Sequence, residues 1–245
     1  MNAMTLSPHD SARFGIPVAR WNGVLGSVAA HVKSMRDDGV KLVVTRIPLE
    51  ELALLHEFEA AGAEVMDVQS LYRFDYARSG PIRTNVLRDD VVVVPYRPDH
   101  RADVLELTAA SFSQYGHYYA DPRLDESTCL AVYVDLARRN CEEPGVSDLV
   151  LVAEIDGQTA GYLTFKKHDS PEGPYAAGGI GAVATRFRGR DVFKMLTVSG
   201  LQWGWAQGLA WEEHEVLCTN YPVNRSFASL GFGITAAFVT LHLWL

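Results

Sequence analysis

Residues 181–208 constrain the fold of this chain more than any other stretch of it. The stretch opens with small and β-branched residues at 182–185, which are typical of a strand. It turns through residues 186–190, and apolar residues then recur at positions 192, 193, 195, 196, 198 and 201. That spacing is typical of a helix. The stretch therefore predicts a strand, a basic turn that contains Gly189, and a helix.

A helix that begins directly after a basic turn is a favourable place for an anion. Its first backbone N–H groups have no partner within the helix, and the helix dipole adds a partial positive charge there. Arg186, Arg188 and Arg190 place three cationic side chains in the same turn. The turn is therefore a candidate site for a phosphate or pyrophosphate. On these residues alone, an ordinary strand-to-helix connection with solvated arginines is an equal alternative.

The composition excludes several classes of protein. A formal net charge of −8 argues against a general nucleic-acid binder, so a local cluster of arginines is more informative here than in a basic protein. No apolar run reaches the roughly 18–20 residues that a membrane span needs, and no secretory signal is visible, so we expect a cytoplasmic protein. Cys129, Cys141 and Cys218 are scattered, which predicts reduced thiols and no metal site.

The front of the chain predicts a small α/β unit. Residues 1–12 are polar, and we expect them to be frayed. Strands are expected at 14–20, 41–47 and 65–76, with a helix at 23–38 that includes Val24 and Leu25 and another that starts at Pro48. This is a compact βαβαβ arrangement. Residues 77–90 are polar and contain Gly80-Pro81, as expected of a linker. We therefore predict one domain at 1–84 and a second at 85–245.

The second domain is expected to begin with a strand at 91–94. Helices follow at 98–115 and 125–141, separated by an aromatic loop at 116–122. Asp156-Gly157 predicts a hairpin with a tight type I′ turn, and residues 168–179 predict a loop. After the central strand, turn and helix come a strand at 215–219, a short helix at 223–230 and closing strands at 234–245.

This order of elements resembles that of the GNAT N-acetyltransferase superfamily. The family motif Q/R-x-x-G-x-G/A corresponds to the six residues from Arg186 to Asp191. A second motif, N-x-x-A-x-x-L-Y-x-x-x-G-F, keeps its Asn-to-Gly-Phe distance between Asn220 and Phe232. The resemblance implies an α/β fold with a mixed, mostly antiparallel twisted sheet flanked by helices, preceded here by the small βαβαβ domain.

The front of the chain resembles a narrower group, the TDP-fucosamine acetyltransferase-like proteins. The similar segments are F-G-I-P-V-A-R-W, L-V-V-T-R-I-P, A-G-A-E-V-M-D-V and the loop H-Y-Y-A-D-P at 117–122. These enzymes acetylate the 4-amino group of a nucleotide-linked deoxysugar. The resemblance implies a transferase that moves an acetyl or other acyl group from CoA to a small amine, most simply a nucleotide-linked amino sugar. The charge, the apolar runs and the cysteine spacing described above predict no nucleic-acid, membrane or metal partner, and a homodimer is left open.

The resemblance also implies where acyl-CoA binds. Its pyrophosphate is expected on the backbone N–H groups of 188–191, where Gly189 permits close approach and the arginines add charge-assisted bonds. The strand end at 181–184 is expected to splay from 216–219 and admit the pantetheine arm. A backbone N–H near Val183 is expected to face the thioester oxygen. The full expected set is Val183, Ala184, Arg186, Arg188, Gly189, Arg190, Asp191, Val192 and Asn220.

Two residues depart from the family pattern. Asp191 replaces a small residue, and a carboxylate beside a pyrophosphate is electrostatically unfavourable. At a helix start it is expected instead to satisfy free N–H groups, a contribution of about 0.5–2 kcal/mol. Phe227 replaces the Tyr whose hydroxyl returns a proton to the leaving thiolate. Tyr221, Ser226 or solvent are the candidate substitutes.

Acyl transfer needs a neutral amine, so a base or a water relay is required. The candidates by position are His117, His168, Asp169, Glu172 and His242. His117 is flanked by Tyr118, Tyr119 and Asp121, which suit either a sugar pocket or simple packing. The predicted catalytic positions are thus His117, His168, Tyr221 and the Phe227 site. An amino acid, an antibiotic amine or hydroxylamine is the alternative acceptor, and a non-catalytic acyl-CoA-binding or scaffold protein is the alternative class.

Overall fold

The computed structural model describes residues 4–21 and 27–245. They divide into two compact units, each built from separate stretches of the chain. The first unit contains 4–21, 27–70, Tyr115–Cys129 and Ala236–Leu245. The second contains Leu71–Gln114 and Leu130–Thr235. This division differs from the boundary expected between residues 84 and 85.

The front of the chain forms four strands and three helices among the described residues. They are β1 Met4–Leu6, α1 Pro8–Phe14, β2 Val18–Trp21, α2 Val28–Asp37, β3 Leu42–Pro48, α3 Leu52–Ala60 and β4 Glu64–Asp75. The expectation of a frayed start is wrong for the described part, because Ser7 caps α1 by accepting a hydrogen bond from the Asp10 N–H. Phe14 consequently ends a helix instead of starting a strand.

The rest of the described chain adds six strands and five helices. They are β5 Val92–Pro95, α4 Arg101–Ser111, α5 Gly116–Ala120, α6 Glu126–Glu142, β6 Leu149–Ile155, β7 Gln158–His168, β8 Tyr175–Val183, α7 Val192–Ala206, β9 Trp211–Leu217, α8 Tyr221–Leu230 and β10 Gly233–Trp244. Short 3₁₀ turns lie at Thr84–Val86, Pro98–His100 and Thr185–Phe187.

Several boundaries differ from those expected. The aromatic loop at 116–122 contains the short helix α5, and the expected loop at 168–179 already includes the start of β8. Pro48 ends β3, and α3 begins only at Leu52. The closing strands are a single long strand, β10. Val24 and Leu25, expected in the helix at 23–38, lie outside the described residues.

The first unit builds its sheet from distant parts of the sequence. β1 pairs antiparallel with β2, β2 parallel with β3, and β3 antiparallel with β10, from Pro48 opposite Phe238 to Leu42 opposite Trp244. Leu241 and Leu243 of β10 therefore join Val43, Ile47 and residues of α2 and α3 in one apolar core. This long-range pairing is why the first unit is not confined to residues 1–84.

The second unit is organised around an antiparallel run of strands. β5, β6, β7 and β8 pair in sequence, and β8 pairs parallel with β9. The predicted type I′ hairpin is confirmed, since Asp156 and Gly157 have φ values of 51° and 72°. α7 lies over β7 and buries Met195 and Leu196 against Phe165 and neighbouring side chains.

The expected fold class is confirmed. In each unit the described strands pair in a mixed pattern in which antiparallel pairings outnumber parallel ones, and helices pack against them. No helix among the described residues is both long and apolar enough to cross a membrane.

Candidate functional site

The parallel strands β8 and β9 separate part of the way along their length. Their described pairing runs from Tyr175 opposite Trp211 to Gly178 opposite His214, although β8 continues to Val183 and β9 to Leu217. β8 stays paired with β7 as far as Val183. β8 and β9 therefore separate beyond Gly178 and His214, and the predicted splay at this place is confirmed. The opening leaves one edge of β8 free to bond an extended ligand.

The backbone of Val183 faces this opening. The N–H of the next residue, Ala184, donates to the Ala160 carbonyl on the β7 side, at 2.9 Å. Because successive residues of a strand point their N–H groups to opposite edges, the Val183 N–H points away from β7 and toward the opening. Val183 thus offers a free donor where the sequence analysis expected one, and Ala184 does not.

Two residues of the turn between β8 and α7 have a left-handed backbone conformation. Gly189 has a φ of 76° and Asp191 a φ of 58°. α7 begins at Val192, and its first described intrahelical bond runs from the Met195 N–H to the Asp191 carbonyl at 2.9 Å. The N–H groups of residues 192–194 are therefore the ones that a helix start leaves for a ligand. They lie immediately after the open end of β8.

Asp191 does not cap α7 as expected. Its side chain makes no capping hydrogen bond and instead forms an ion pair with Lys194, at 2.9 Å. The backbone of Asp191 is left-handed, with a φ of 58°, and not in the extended conformation that is usual for an N-cap residue. The residue therefore occupies a conformation that glycine adopts most easily, which explains why a small residue suits this place.

The three arginines of the turn have different partners. Arg190 binds Asp90 at 2.5 Å, and Arg88 binds the same carboxylate at 2.8 Å. Hydrogen bonds from Arg88 and then from Arg190 lower the pKa of Asp90 to about 2. Arg186 lies over the ring of its neighbour Phe187, 4.9 Å from the centroid.

Arg188 differs from both neighbours. Its side chain is exposed, and among the described residues no ion pair engages its guanidinium. Arg188 is therefore a cation of this turn that a bound anion would meet without competition from a carboxylate of the described residues, and Arg186 is another.

The predicted proton donors lie around α8. Phe227 is buried, stacks on Tyr72 at 5.3 Å and contacts the His214 ring at 4.6 Å, so this position is part of the core. Tyr221, the first residue of α8, is exposed and follows the end of β9 by four positions. The Ser226 hydroxyl donates to the Pro222 carbonyl. Tyr221 is thus the candidate of this group whose hydroxyl is open to a ligand.

Asn220 and Val192 lie at the two helix starts of the region. Asn220 precedes α8, and its side chain makes no capping hydrogen bond. Its carbonyl accepts from the Asn224 side chain at 2.7 Å. Val192 is buried in the core beneath α7. Val192 can therefore offer a ligand its backbone N–H but not its side chain.

The structure does not bring His168 to this region. His168 ends β7 and stacks on Tyr175, the first residue of β8, with ring centroids 5.1 Å apart. Val183 lies eight residues further along β8, roughly 26 Å at the usual strand rise. Asp169 and Glu172 are exposed in the same distant connection, where Glu172 pairs with Arg73 at 3.4 Å.

A buried polar pair on β9 was missed by sequence reasoning. His214 Nε2 lies 2.8 Å from Glu212 Oε1, and both side chains are buried in the second unit. Burial raises the pKa of Glu212, an effect that the bond to His214 only partly offsets. Gly178 is needed beside this pair, since a Cβ there would lie 1.8 Å from His214 Nδ1. Two polar residues two positions apart on a strand, both facing inward, were the available signal.

The first unit contains a second group of titratable residues. His117 on α5 and His242 on β10 were separate candidates, and the structure joins them, with His117 Nδ1 2.9 Å from His242 Nε2. His242 Nδ1 lies 2.8 Å from a carboxylate oxygen of Asp121. No cluster of His, Cys, Asp or Glu in the described chain has an arrangement that could hold a metal ion.

Comparison with known proteins finds relatives by structure and not by sequence. No protein-family model matches the chain, and no curated protein matches it. One similar solved structure is a tandem GNAT protein from the clavulanic acid biosynthesis pathway, at 16% identity and a TM-score of 0.63. That match covers 94% of this chain and 76% of that one.

Two further structural neighbours are GCN5-related N-acetyltransferases. The protein from Sphaerobacter thermophilus is 11% identical, with a TM-score of 0.64 and coverage of 98% of this chain and 76% of that one. The protein from Kribbella flavida is 11% identical, with a TM-score of 0.63 and coverage of 92% and 80%. At these low sequence identities, the TM-scores show a shared fold.

Proposed function

We propose that the second unit binds acyl-CoA and that the protein transfers the acyl group to the amine of a small acceptor. The observation that carries the proposal is the separation of β8 from β9 directly before the Gly189 turn and the start of α7. This arrangement offers an open strand edge for a linear arm and, one turn later, free helix N–H groups for its charged end. The GNAT fold of the structural neighbours agrees with it.

The anion end of the ligand would meet three kinds of positive charge. The N–H groups of residues 192–194 and the dipole of α7 suit a pyrophosphate. Arg188 is free to add a charge-assisted hydrogen bond. Asp191 departs from the family motif, and its negative charge argued against such binding. The structure pairs that carboxylate with Lys194. That ion pair reduces the repulsion that a bound phosphate would meet.

The reacting end would lie at Val183. In acyl transfer the amine nitrogen bonds to the thioester carbon, the C–S bond breaks, and the amine loses a proton. Negative charge develops on the carbonyl oxygen, and a backbone N–H held in place by the β7 pairing stabilises it. Phe227 supplies no proton to the departing thiolate. Solvent or the exposed Tyr221 hydroxyl is left for that step, and a CoA thiolate leaves without strong acid assistance.

For the acceptor, we propose a nucleotide-linked amino sugar, on the resemblance of the front segments and of residues 117–122. An amino acid, an antibiotic amine or hydroxylamine is the competing acceptor class. A non-catalytic acyl-CoA-binding or scaffold protein is the competing function. The pairing of Asp191 with Lys194 favours acyl-CoA binding over a scaffold without that ligand, because it leaves the anion-binding groups of the turn unblocked.

Calorimetric titration of acetyl-CoA tests the first half of the proposal. We expect micromolar binding by the wild type. Arg188→Ala should weaken it about 10- to 100-fold, because a hydrogen bond to a charged group contributes about 1.5–3 kcal/mol. Arg78→Ala is the matched control, since Arg78 is an exposed arginine of the same unit. This variant should bind acetyl-CoA as tightly as the wild type. A wild type that does not bind acetyl-CoA contradicts the proposal.

A panel of amines tests the second half. CoA release is followed with dTDP-4-amino-4,6-dideoxygalactose, other nucleotide-linked amino sugars, amino acids, an aminoglycoside and hydroxylamine. Saturable turnover of a nucleotide-linked amino sugar supports the proposed acceptor. Saturation by an amine without a nucleotide assigns the competing class. Tight acetyl-CoA binding without turnover of any amine supports the non-catalytic alternative.

A further inference from the structure

Two turns of the second unit are joined by one carboxylate. The first turn lies directly before β5, where the Val91 N–H donates to the Arg88 carbonyl at 3.4 Å. The second is the turn between β8 and α7, which contains Arg190. Asp90 of the first turn accepts hydrogen bonds from Arg88 Nε at 2.8 Å and from Arg190 Nη2 at 2.5 Å. Arg88 Nη2 completes a fork, at 3.3 Å from the second carboxylate oxygen. The two guanidiniums therefore converge on a single anion.

Both turns rest on the same apolar core of the second unit. Val91, Phe187 and Val192 are buried in one cluster. Arg190 also lies over the Phe187 ring, 5.9 Å from its centroid. Val192 is the first residue of α7, and Arg190 precedes it by two positions. The converging arginines are thus anchored beside the helix start whose first N–H groups, those of residues 192–194, are left for a ligand.

The ion pairs of Asp90 are exposed, so another anion can replace the carboxylate. The side chains of Arg88, Asp90 and Arg190 are 46%, 40% and 38% exposed. Ion pairs at such exposure contribute little to stability, because water solvates the separated charges almost as well. The hydrogen bonds from the two arginines nevertheless keep the pKa of Asp90 low, at about 2, so the space between the guanidiniums already suits a negative charge.

A phosphate monoester suits this space better than the Asp90 carboxylate does. The monoester carries about two negative charges at pH 7 and has three acceptor oxygens, whereas the carboxylate has one charge and two oxygens. A guanidinium binds either group through the same fork of N–H donors. The single charge of Asp90 leaves one of the two positive charges of Arg88 and Arg190 unbalanced, and a dianion balances both.

We propose that Arg88 and Arg190 form a binding subsite for a phosphate monoester, which in acyl-CoA is the 3′-phosphate of the ribose. This inference rests on the proposed binding of acyl-CoA. The monoester takes the place of Asp90 between the two guanidiniums, and the pyrophosphate binds the N–H groups of residues 192–194. Without a ligand, Asp90 keeps the two arginines together. The subsite thereby distinguishes CoA from a nucleotide whose ribose carries no phosphate.

Titration calorimetry of the full-length protein with acetyl-CoA and with acetyl-dephospho-CoA tests the subsite, since the second ligand lacks only the 3′-phosphate. The wild type should bind acetyl-CoA about 10- to 100-fold more tightly, as expected for hydrogen bonds to a charged group. Arg88→Ala and Arg190→Ala should each weaken acetyl-CoA binding and bring the ratio of the two affinities close to one. Either substitution suffices because the subsite needs both guanidiniums, and Asp90 stays paired with the arginine that remains.

Arg78→Ala is the matched control for these variants. Arg78 is another exposed arginine of the second unit, and it pairs with Asp75 at 3.9 Å. Its replacement removes a comparable ion pair outside the two turns. This variant should keep the wild-type ratio of the two affinities.

A purely structural role of the Asp90 ion pairs predicts a different result. Loss of either arginine would then loosen the turn before α7 and weaken the binding of both ligands by the same factor. The ratio of the two affinities would stay at its wild-type value, and that outcome overturns the subsite.

The same titrations separate this inference from the proposed function. Binding of neither ligand by the wild type refutes acyl-CoA binding, and the subsite falls with it. Binding of both ligands with equal affinity refutes the subsite alone and leaves acyl-CoA binding intact. A wild-type preference for acetyl-CoA that both arginine variants lose supports the two proposals together.

Discussion

Replacing Asp191 by glycine and, separately, by alanine tests the geometry of the turn before α7. Asp191 has a left-handed φ of 58°, makes no capping bond and pairs with Lys194 at 2.9 Å. Both substitutions remove the carboxylate and the ion pair. Glycine alone also adopts the left-handed backbone without a steric cost. The two variants therefore separate backbone strain from charge.

The difference in stability between the two variants measures the strain. A side chain in the left-handed region costs about 1–2 kcal/mol, and glycine loses about 0.4–1 kcal/mol more chain entropy on folding than alanine. Asp191→Gly should accordingly be more stable than Asp191→Ala by about 0.5–1 kcal/mol. For a chain of this size that corresponds to a Tm difference of about 1–4 °C. The lost ion pair is partly exposed, contributes at most about 1 kcal/mol, and cancels in the comparison.

The change in acetyl-CoA affinity measures the charge. A phosphate on the first N–H groups of α7 would lie roughly 6 Å from the Asp191 carboxylate, where Coulomb's law in water gives about 0.7 kcal/mol for each pair of unit charges. With salt screening, both variants should bind acetyl-CoA about 2- to 5-fold more tightly than the wild type. The gain should be the same for glycine and alanine, since the charge removed is the same.

Differential scanning calorimetry and titration calorimetry at two salt concentrations provide the measurements. The affinity gain should shrink as salt rises. If both variants bind acetyl-CoA more weakly than the wild type, the carboxylate helps the ligand and the assignment of the pyrophosphate to this turn is refuted. If alanine is at least as stable as glycine, the strain argument fails on its own.

Three further predictions follow from the same unit. Asp90→Asn should tighten acetyl-CoA binding by releasing Arg190, and the gain should vanish in an Arg190→Ala background; a gain that persists there contradicts the competition. Gly178→Ala should destabilise the protein by about 1–3 kcal/mol in urea unfolding, because the new Cβ meets the His214 ring at 1.8 Å. Gly233→Ala, with open space around it, is the control and should be near neutral. Folding raises the pKa of Glu212, so its protonated form stabilises the folded protein. This contribution is fully present below the carboxyl pKa of the unfolded chain, and it is lost as the pH rises through the carboxyl pKa of the folded protein. Glu212→Gln should therefore gain stability relative to the wild type as the pH rises above the ordinary glutamate pKa of about 4.3, and a pH-independent difference would count against a raised pKa.

Local sequence patterns predicted most elements of the second unit. The hairpin at Asp156-Gly157, the strand before the turn and the helix after it all depend on neighbouring residues, and all three are present. The start of β8 was missed because its alanines and glycines carry little strand signal. Its pairing with β7 and β9 determines that it is a strand, and such pairing is not visible locally.

The composition of the candidate site was harder to predict than its position. The resemblance to the GNAT superfamily implied the splay at Val183, but it did not imply the partners of the arginines. Asp90 lies 100 residues before Arg190, and nothing in the spacing links them. The bond between His117 and His242 spans 125 residues and depends on the pairing of β10 with β3. Side-chain partners across such separations require the folded structure.

The pairing of β3 with β10 also bears on how the chain folds. Val43 and Leu243 share a core although 200 positions separate them, so closing that core requires ordering a very long loop. Such non-local contacts slow folding. While a ribosome is still making the second unit, β3 has no β10 to pair with and exposes an apolar strand edge. The first unit would complete its core last, and in that interval it would be the part of the chain most in need of a chaperone.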